Sequence, residues 1–381
     1  MLKSKTIKLG YLITDLNTGG AEMQLFRIVS NLNREQFQPF VISMGTEGVV
    51  GEMLSRLGIK VYPLNMKRGL FSFKAIWKLY RILRKERPHV LTMFMYHAYF
   101  IGRIVGRIAR VPVLVSSIRT ANFKSTVRRL TSKYTEFLGD ATVVNSRNVA
   151  DSFINSGIVP ERKAIVIANG LDTDKFKPDS AKRKKLRDRI GFGDEAFVWI
   201  AVGRLEKAKN YLNMINAFAK IKERFDNAIL IIVGDGYLLS ECTGLVNDLK
   251  INDNVKFMGR RDDIHEILNV ADAYVLSSDW EGMPNAVMEA AAVGLPVVST
   301  NVGGVSELVD DQSTGFLVAP GNTGLLADAM IKVMNLPENE RIKMGMEGRN
   351  IILTKYSIDT VVREWQNLYC KMLTQKGITV D

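Results

Sequence analysis

Ser278–Glu289, SDWEGMPNAVME, follows the strand-like run Asp272–Ser278, DAYVLSS, and the two read as a β-strand turning into a helix. Pro284 suits the first helical turn, where a missing N–H costs nothing. The peptides just after Gly282 are then placed to offer N–H groups and partial positive charge to an anion. Glu281 sits in the loop before that site and Glu289 two turns into the helix. A carboxylate beside a phosphate is repelled, so these acids suit hydroxyl donors. Sugar and ribose hydroxyls flanking a diphosphate meet that description. A capped surface helix after a strand would carry the same signature.

Working outward, Val202–Asn210, VGRLEKAKN, joins the strand-like AFVWIA to the helix-like YLNMINAFAKI. Arg204 and Lys209 therefore lie at a strand-to-helix junction, where loops meet ligands in open α/β sheets. A guanidinium forks two phosphate oxygens and an ammonium adds a point charge. Near the start, Ile7–Thr14 reads as a buried strand, and Asp15–Glu22, DLNTGGAE, as a glycine turn before a helix. Gly19 and Gly20 let the backbone approach a phosphate closely. The pair is not a dinucleotide fingerprint, and alone it reads as an ordinary βα turn.

At 381 residues the chain has length for two cores. Strand-like runs alternate with helical ones throughout, the pattern of parallel α/β sheets. Two cysteines and three histidines, without ligand spacing, argue against a disulfide framework or a structural zinc. The N-terminus reads as a strand rather than a leader, and no apolar run is long enough to span a bilayer, which points to a cytoplasmic protein. Charge is split: residues 1–190 carry +20 and residues 191–381 carry −8. A half so basic implies an anionic partner or a heavily solvated surface.

One helix concentrates that charge. Between Ser72 and Glu86, Lys74, Lys78, Arg81 and Lys85 share one arc, with Phe73, Ile76, Trp77, Tyr80 and Leu83 read as the opposite, sheet-facing arc. Lys124, Arg128, Arg129 and Lys133 form a second basic cluster. Anionic lipid head groups suit both. Nucleic acid suits them less, because stacking aromatics are not interleaved with the charge.

Together these segments resemble the retaining glycosyltransferases of family 4, group 1, which have the two-Rossmann GT-B architecture. The matching stretches are TGGAE, NGLDTDKF (Asn169–Phe176), GRLEKAK, IIVGDG (Ile231–Gly236), VKFMGRRDD (Val255–Asp263), Ser278–Gly304 and SELV. The resemblance implies two Rossmann-like parallel-sheet domains facing a cleft. Residues 1–175 would form an acceptor-binding domain, 176–195 a linker and 196–357 a nucleotide-sugar-binding domain. A helix from about 358 to 381 would return to the first domain. It implies a nucleotide-sugar donor, UDP-linked, and a lipid-linked or other saccharide acceptor at the inner face of the membrane. Arg204 and Lys209 would neutralise the diphosphate without a metal, and no cofactor is expected. Glu281 would contact donor sugar hydroxyls and Glu289 the ribose. Gly234, Arg260, Gly282, Met283, Pro284 and Asn285 would line the donor, and Gly303–Gly304 would give it backbone space. The family's usual histidine after the strand Val113–Ile118 is replaced here by Arg119, read as a phosphate contact or a surface arginine. Two other readings share the architecture: a catalytically silent nucleotide-sugar-binding subunit and a nucleotide-sugar epimerase.

Overall fold

The structure, a computed structural model, describes residues 6–67, 72–119, 125–193 and 195–378; Lys124 of the second basic cluster lies outside them. The chain forms two compact units, Met1–Gly170 with Ile358–Asp381, and Leu171–Ser357.

The first unit alternates β1 (Ile7–Ile13), α1 (Gly20–Ser30), β2 (Phe37–Ser43), α2 (Gly48–Arg56), β3 (Lys60–Pro63), α3 (Phe73–Glu86), β4 (Val90–Phe94), α4 (Tyr96–Ile108), β5 (Val113–Ile118), α5 (Thr126–Thr135), β6 (Ala141–Val144), α6 (Arg147–Asn155) and β7 (Ala164–Val166). The seven-stranded sheet is parallel, in the order β3-β2-β1-β4-β5-β6-β7. Neighbouring side chains on a strand face opposite ways, and a parallel sheet is covered on both faces. Leu9, Tyr11 and Ile13 accordingly enter a core shared with α1, α2 and the chain's last helix. Leu12 enters the other core, with Phe40, Ile42 and residues of α3, α4 and α6.

α3 departs from its sequence reading. Its buried side is Ala75, Leu79, Ile82, Leu83 and Glu86. At about 100° per residue, Phe73 and Trp77 then lie on roughly the opposite side, and they are 81% and 58% exposed. They share the outward face with the basic residues, and Arg81 lies over the Trp77 ring at 4.8 Å.

The second unit contains α7 (Ser180–Ile190), β8 (Phe197–Val202), α8 (Tyr211–Lys222), β9 (Ala228–Val233), α9 (Leu239–Asp248), β10 (Val255–Phe257), α10 (Ile264–Ile267), β11 (Ala273–Leu276), α11 (Asn285–Ala292), β12 (Val297–Thr300), α12 (Val305–Leu308), β13 (Gly315–Val318), α13 (Thr323–Asn335) and α14 (Glu338–Lys355). Its six-stranded parallel sheet runs β10-β9-β8-β11-β12-β13. The polar segment 176–195, read as a linker, contains α7. Asp179 caps that helix and Gly191 ends it in a left-handed turn. Arg183 and Arg187 bind Asp272 at 2.6 and 3.2 Å, which ties α7 to the second unit.

The last helix, α15 (Ile358–Gln375), packs with the first unit. Trp365 stacks on Phe94 at 6.1 Å between centroids. Tyr369 donates to the Tyr11 hydroxyl at 3.1 Å and accepts from Thr92 at 3.2 Å. Those buried hydroxyls satisfy one another, which fixes the helix in one register.

Candidate active site

In the second sheet the strand order reverses between β8 and β11, and ligands of open α/β sheets bind beyond such switch points. The two loops leaving these strands, 203–210 and 277–284, carry the main candidates. Lys209 Nζ lies 2.6 Å from Glu281 Oε1, with side chains 18% and 13% exposed. Ser278 donates to the same oxygen at 2.7 Å. Among the described residues no donor reaches Oε2, so that oxygen is open to a hydroxyl. Sequence reading gave Lys209 and Glu281 separate tasks; the structure makes them one ion pair. An ammonium has three N–H donors, so Lys209 can hold Glu281 and still reach a phosphate oxygen.

The pair is braced by polar contacts that sequence reading missed. Asn210 adopts φ 46°, caps α8, and donates to Asp279 at 2.8 Å. Ser277 Oγ sits 2.8 and 2.9 Å from the carbonyls of Lys209 and Asn210. Asp279 N donates to Ala208 O at 2.9 Å. Thr300 binds the Ser278 carbonyl at 2.6 Å, and Gly304 N binds that of Gly282 at 2.7 Å. Gly303 has φ +55°, and a Cβ there would strike the Glu281 and Gly282 carbonyls. Its missing Cβ therefore gives room to the Glu281 loop. The available signal was local: Asn before a helix and a Ser-Ser-Asp run at a strand end are capping and turn chemistry.

Arg204, on the same loop as Lys209, is 79% exposed, with Glu206 at 3.4 Å. Gly234 has φ +145°, and its missing Cβ leaves room for the Gly203 carbonyl. Arg260 is exposed after β10, whereas Arg261 is paired with Asp263 at 2.8 Å. Pro284 is the residue before α11 rather than inside its first turn, and no side chain caps that helix. Met283 is buried; Gly282, Asn285 and Glu289 are half-buried, the last two one helical turn apart on α11. Gly19, in the first unit, precedes α1 in an extended conformation. Its missing Cβ leaves room for the Glu22 carboxylate, so the turn already holds an acid.

Arg119 also belongs to the first unit and is no surface arginine. Nε donates to Ser117 at 2.9 Å and Nη1 to Asn169 at 2.8 Å. The guanidinium lies over Phe94 at 5.3 Å and Trp365 at 5.7 Å. Nη2 is buried without a hydrogen-bond partner. No carboxylate among the described residues pairs with it, and burial pushes its pKa down to about 10. It stays a cation at neutral pH. Beside it, Met95 holds φ 73° and ψ 161°, a region costly for any residue but glycine. His97 is exposed on α4, its pKa lowered by partial burial of the ring and by Arg128. Lys74, Lys78, Arg81, Lys85, Arg128 and Arg129 are exposed on α3 and α5, although Lys78 is engaged with the Pro63 carbonyl at 2.6 Å.

Known proteins resemble the chain as a whole. The family described as Glycosyl transferases group 1 matches residues 182–351, and Glycosyltransferase Family 4 matches residues 18–175. The UDP-Gal:alpha-D-GlcNAc-diphosphoundecaprenol alpha-1,3-galactosyltransferase of Escherichia coli is 30% identical, over 93% of this chain and 97% of its own. The capsular polysaccharide biosynthesis glycosyltransferase CapM of Staphylococcus aureus is 27% identical, over 83% and 85%. The crystal structure of Anabaena Alr3699/HepE in complex with UDP shares the fold, with a TM-score of 0.85 at 22% identity, over 96% of this chain and 100% of that one. The paired family matches and the nearly end-to-end relation to the E. coli enzyme show that the chain belongs to the group 1 glycosyltransferases of family 4, with the GT-B fold.

Proposed function

We propose that this glycosyltransferase moves a sugar from a UDP-linked donor to a lipid-linked saccharide of bacterial surface polysaccharide, with retention at the anomeric carbon and without a divalent metal. The observation that carries the reading is the Lys209–Glu281 pair at the switch point of the second sheet. Glu281 keeps Oε2 for a donor sugar hydroxyl while Lys209 and Ser278 hold Oε1. Lys209, Arg204 and the N-terminus of α11 supply positive charge to the departing diphosphate. Glu289 takes the ribose hydroxyls. Gly234 and the main chain near Arg260 border the nucleotide, and the Gly19–Gly20 turn gives backbone room. The bond from the anomeric carbon to the diphosphate oxygen breaks as the acceptor oxygen bonds from the same face. The acceptor's hydroxyl proton passes to the departing phosphate. Glu281, engaged by an ammonium, is a poor nucleophile, which favours this front-face course over a covalent intermediate.

Three observations support the substrates. The E. coli relative is named for a UDP-sugar donor and a diphosphoundecaprenol-linked acceptor. The basic first half of the chain suits anionic lipid at the cytoplasmic face of a membrane, and no helix among the described residues is long and apolar enough to cross one. Arg119, a half-buried cation with its Nη2 buried and unsatisfied and no carboxylate partner among the described residues, is suited to a substrate phosphate.

The test is UDP release from UDP-sugars in excess EDTA, with a lipid diphosphate–linked saccharide as acceptor and product configuration read by NMR. Acceptor-dependent release giving an α-linked product is expected. Release that needs restored magnesium or manganese overturns the metal-free course. Donor binding without release points to a silent binding subunit, and an isomerised donor without acceptor points to an epimerase.

A further inference from the structure

α5 is mounted with its polar side inward. Of its ten residues only Ser132 is buried. Its contacts with the rest of the unit are polar: Tyr99 OH with Ser132 Oγ at 3.0 Å, Tyr96 OH with Thr131 Oγ1 at 2.6 Å, and Arg103 with Ser132 O at 3.1 Å and Thr135 Oγ1 at 3.2 Å. Arg103 is itself buried against Glu136. The apolar residues point the other way. Val127, Leu130, Tyr134 and Phe137 recur at helical spacing and are 67%, 43%, 69% and 75% exposed. A helix held by packing normally buries its apolar stripe; here that stripe faces solvent.

The neighbouring helices continue the surface. α5 packs beside α4, and α4 beside α3. α4 adds Ile104 and Ile108 to the outward side, with Phe100 and Ile101 half-buried next to them, and α3 adds Phe73 and Trp77. Among the described residues of the first unit, eight of the ten exposed large apolar side chains lie on α3, α4, α5 and the turn that ends α5. Basic side chains stand among them: Lys74, Arg81, Arg84 and Lys85 on α3, and Arg128, Arg129 and Lys133 on α5. The acids of these elements, Glu86 and Glu136, are buried and paired, so no carboxylate is exposed there.

Resting on the membrane reading above, we propose that this face enters an anionic bilayer, with its apolar side chains below the head groups and the basic ones at them. Charge selects the occupant. A second copy related by a two-fold axis would set like charges together. The large share of aliphatic side chains suits hydrocarbon better than bases. Apolar burial then adds to electrostatic attraction, as in interfacial amphipathic helices.

The experiment is co-flotation of the full chain with vesicles of phosphatidylglycerol and phosphatidylcholine, alongside tryptophan fluorescence with brominated lipid. Trp77 is exposed, Trp199 and Trp365 are fully buried, and Trp280 is half-buried in the second unit, so the difference between wild type and Trp77→Phe isolates the Trp77 signal. Expected are binding that persists in part at high salt, a blue shift, and bromine quenching lost in Trp77→Phe. The combined change Ile104→Ser, Ile108→Ser, Leu130→Ser and Phe137→Ser, all at exposed positions, should weaken partition by about a hundredfold. If salt releases the protein completely, Trp77 is unquenched and this variant binds like wild type, insertion is wrong while electrostatic docking survives. No binding to any anionic vesicle removes both. Displacement from vesicles by RNA in proportion to its concentration would assign the face to nucleic acid and overturn the proposal.

Discussion

Two cations on two sheets, Lys209 and Arg119, are held in opposite ways. Lys209 sits on its own carboxylate, Glu281, inside a lattice of Ser, Asn and Asp contacts. Arg119 is half-buried against aromatic rings with neutral partners, its Nη2 buried and unsatisfied and no carboxylate pairing with it among the described residues. A compensated charge orients its neighbour at little cost to the fold. An uncompensated one carries a desolvation penalty that only an incoming anion relieves. The first arrangement presets geometry; the second keeps a charge in reserve.

The contrast makes activity and stability separable. Lys209→Ala should lower kcat/KM for transfer by about ten- to a hundredfold, the loss of one charge-assisted contact of roughly 1.5–3 kcal/mol. It should also lower the unfolding temperature, because Glu281 loses its counter-ion. Arg119→Met should lower transfer by about tenfold yet leave unfolding unchanged or shifted upward, because methionine keeps the packing and removes an unpaired charge. Paired transfer assays and thermal melts test this. Melts that fall equally in both variants would erase the distinction. Comparing acceptors with and without a diphosphate then separates acceptor-side from donor-side contact for Arg119.

The smallest effect concerns a fully compensated charge at the opposite end of β5 from Arg119. Asp140 accepts from Arg107 at 2.7 Å, Leu114 N at 2.8 Å and Lys376 at 2.8 Å. Burial acts to raise its pKa, but these donors together hold it below the usual carboxylate range. A lowered folded-state pKa contributes stability that is present above the unfolded value, about 3.9, and is lost as pH falls through the folded one. Asp140→Asn should therefore be less stable by about 1 kcal/mol at pH 7, with the two unfolding curves converging as the pH falls through the lowered folded-state pKa. A constant gap down to acid pH would show that the aspartate's charge is not what matters.

The fold was legible because βα alternation and glycine turns are local, and the loops after β8 and β11 were found for the same reason. Which candidates touch was not legible. The Lys209–Glu281 pair spans 72 positions, and its braces depend on a left-handed Asn210 that tertiary contacts impose. α3 misled for a related reason. Its small Ala75 and its paired Glu86 take the buried side, which turns Phe73 and Trp77 outward against a count of apolar residues. The inward-polar mounting of α5 depends on Arg103, 29 positions before Ser132, and no helical period reveals that.

The site reading stands or falls on Glu281 Oε2 receiving a donor sugar hydroxyl. Calorimetric titration of wild type and Glu281→Gln with UDP, UDP-galactose, UDP-glucose and UDP-N-acetylglucosamine measures this directly. In the wild type one UDP-sugar should bind at least about tenfold more tightly than UDP, a gain of about 1.4 kcal/mol. In Glu281→Gln that gain should vanish while UDP itself binds within about threefold of wild type. A variant that keeps the full sugar-dependent gain would contradict the assignment of Glu281 to the donor sugar.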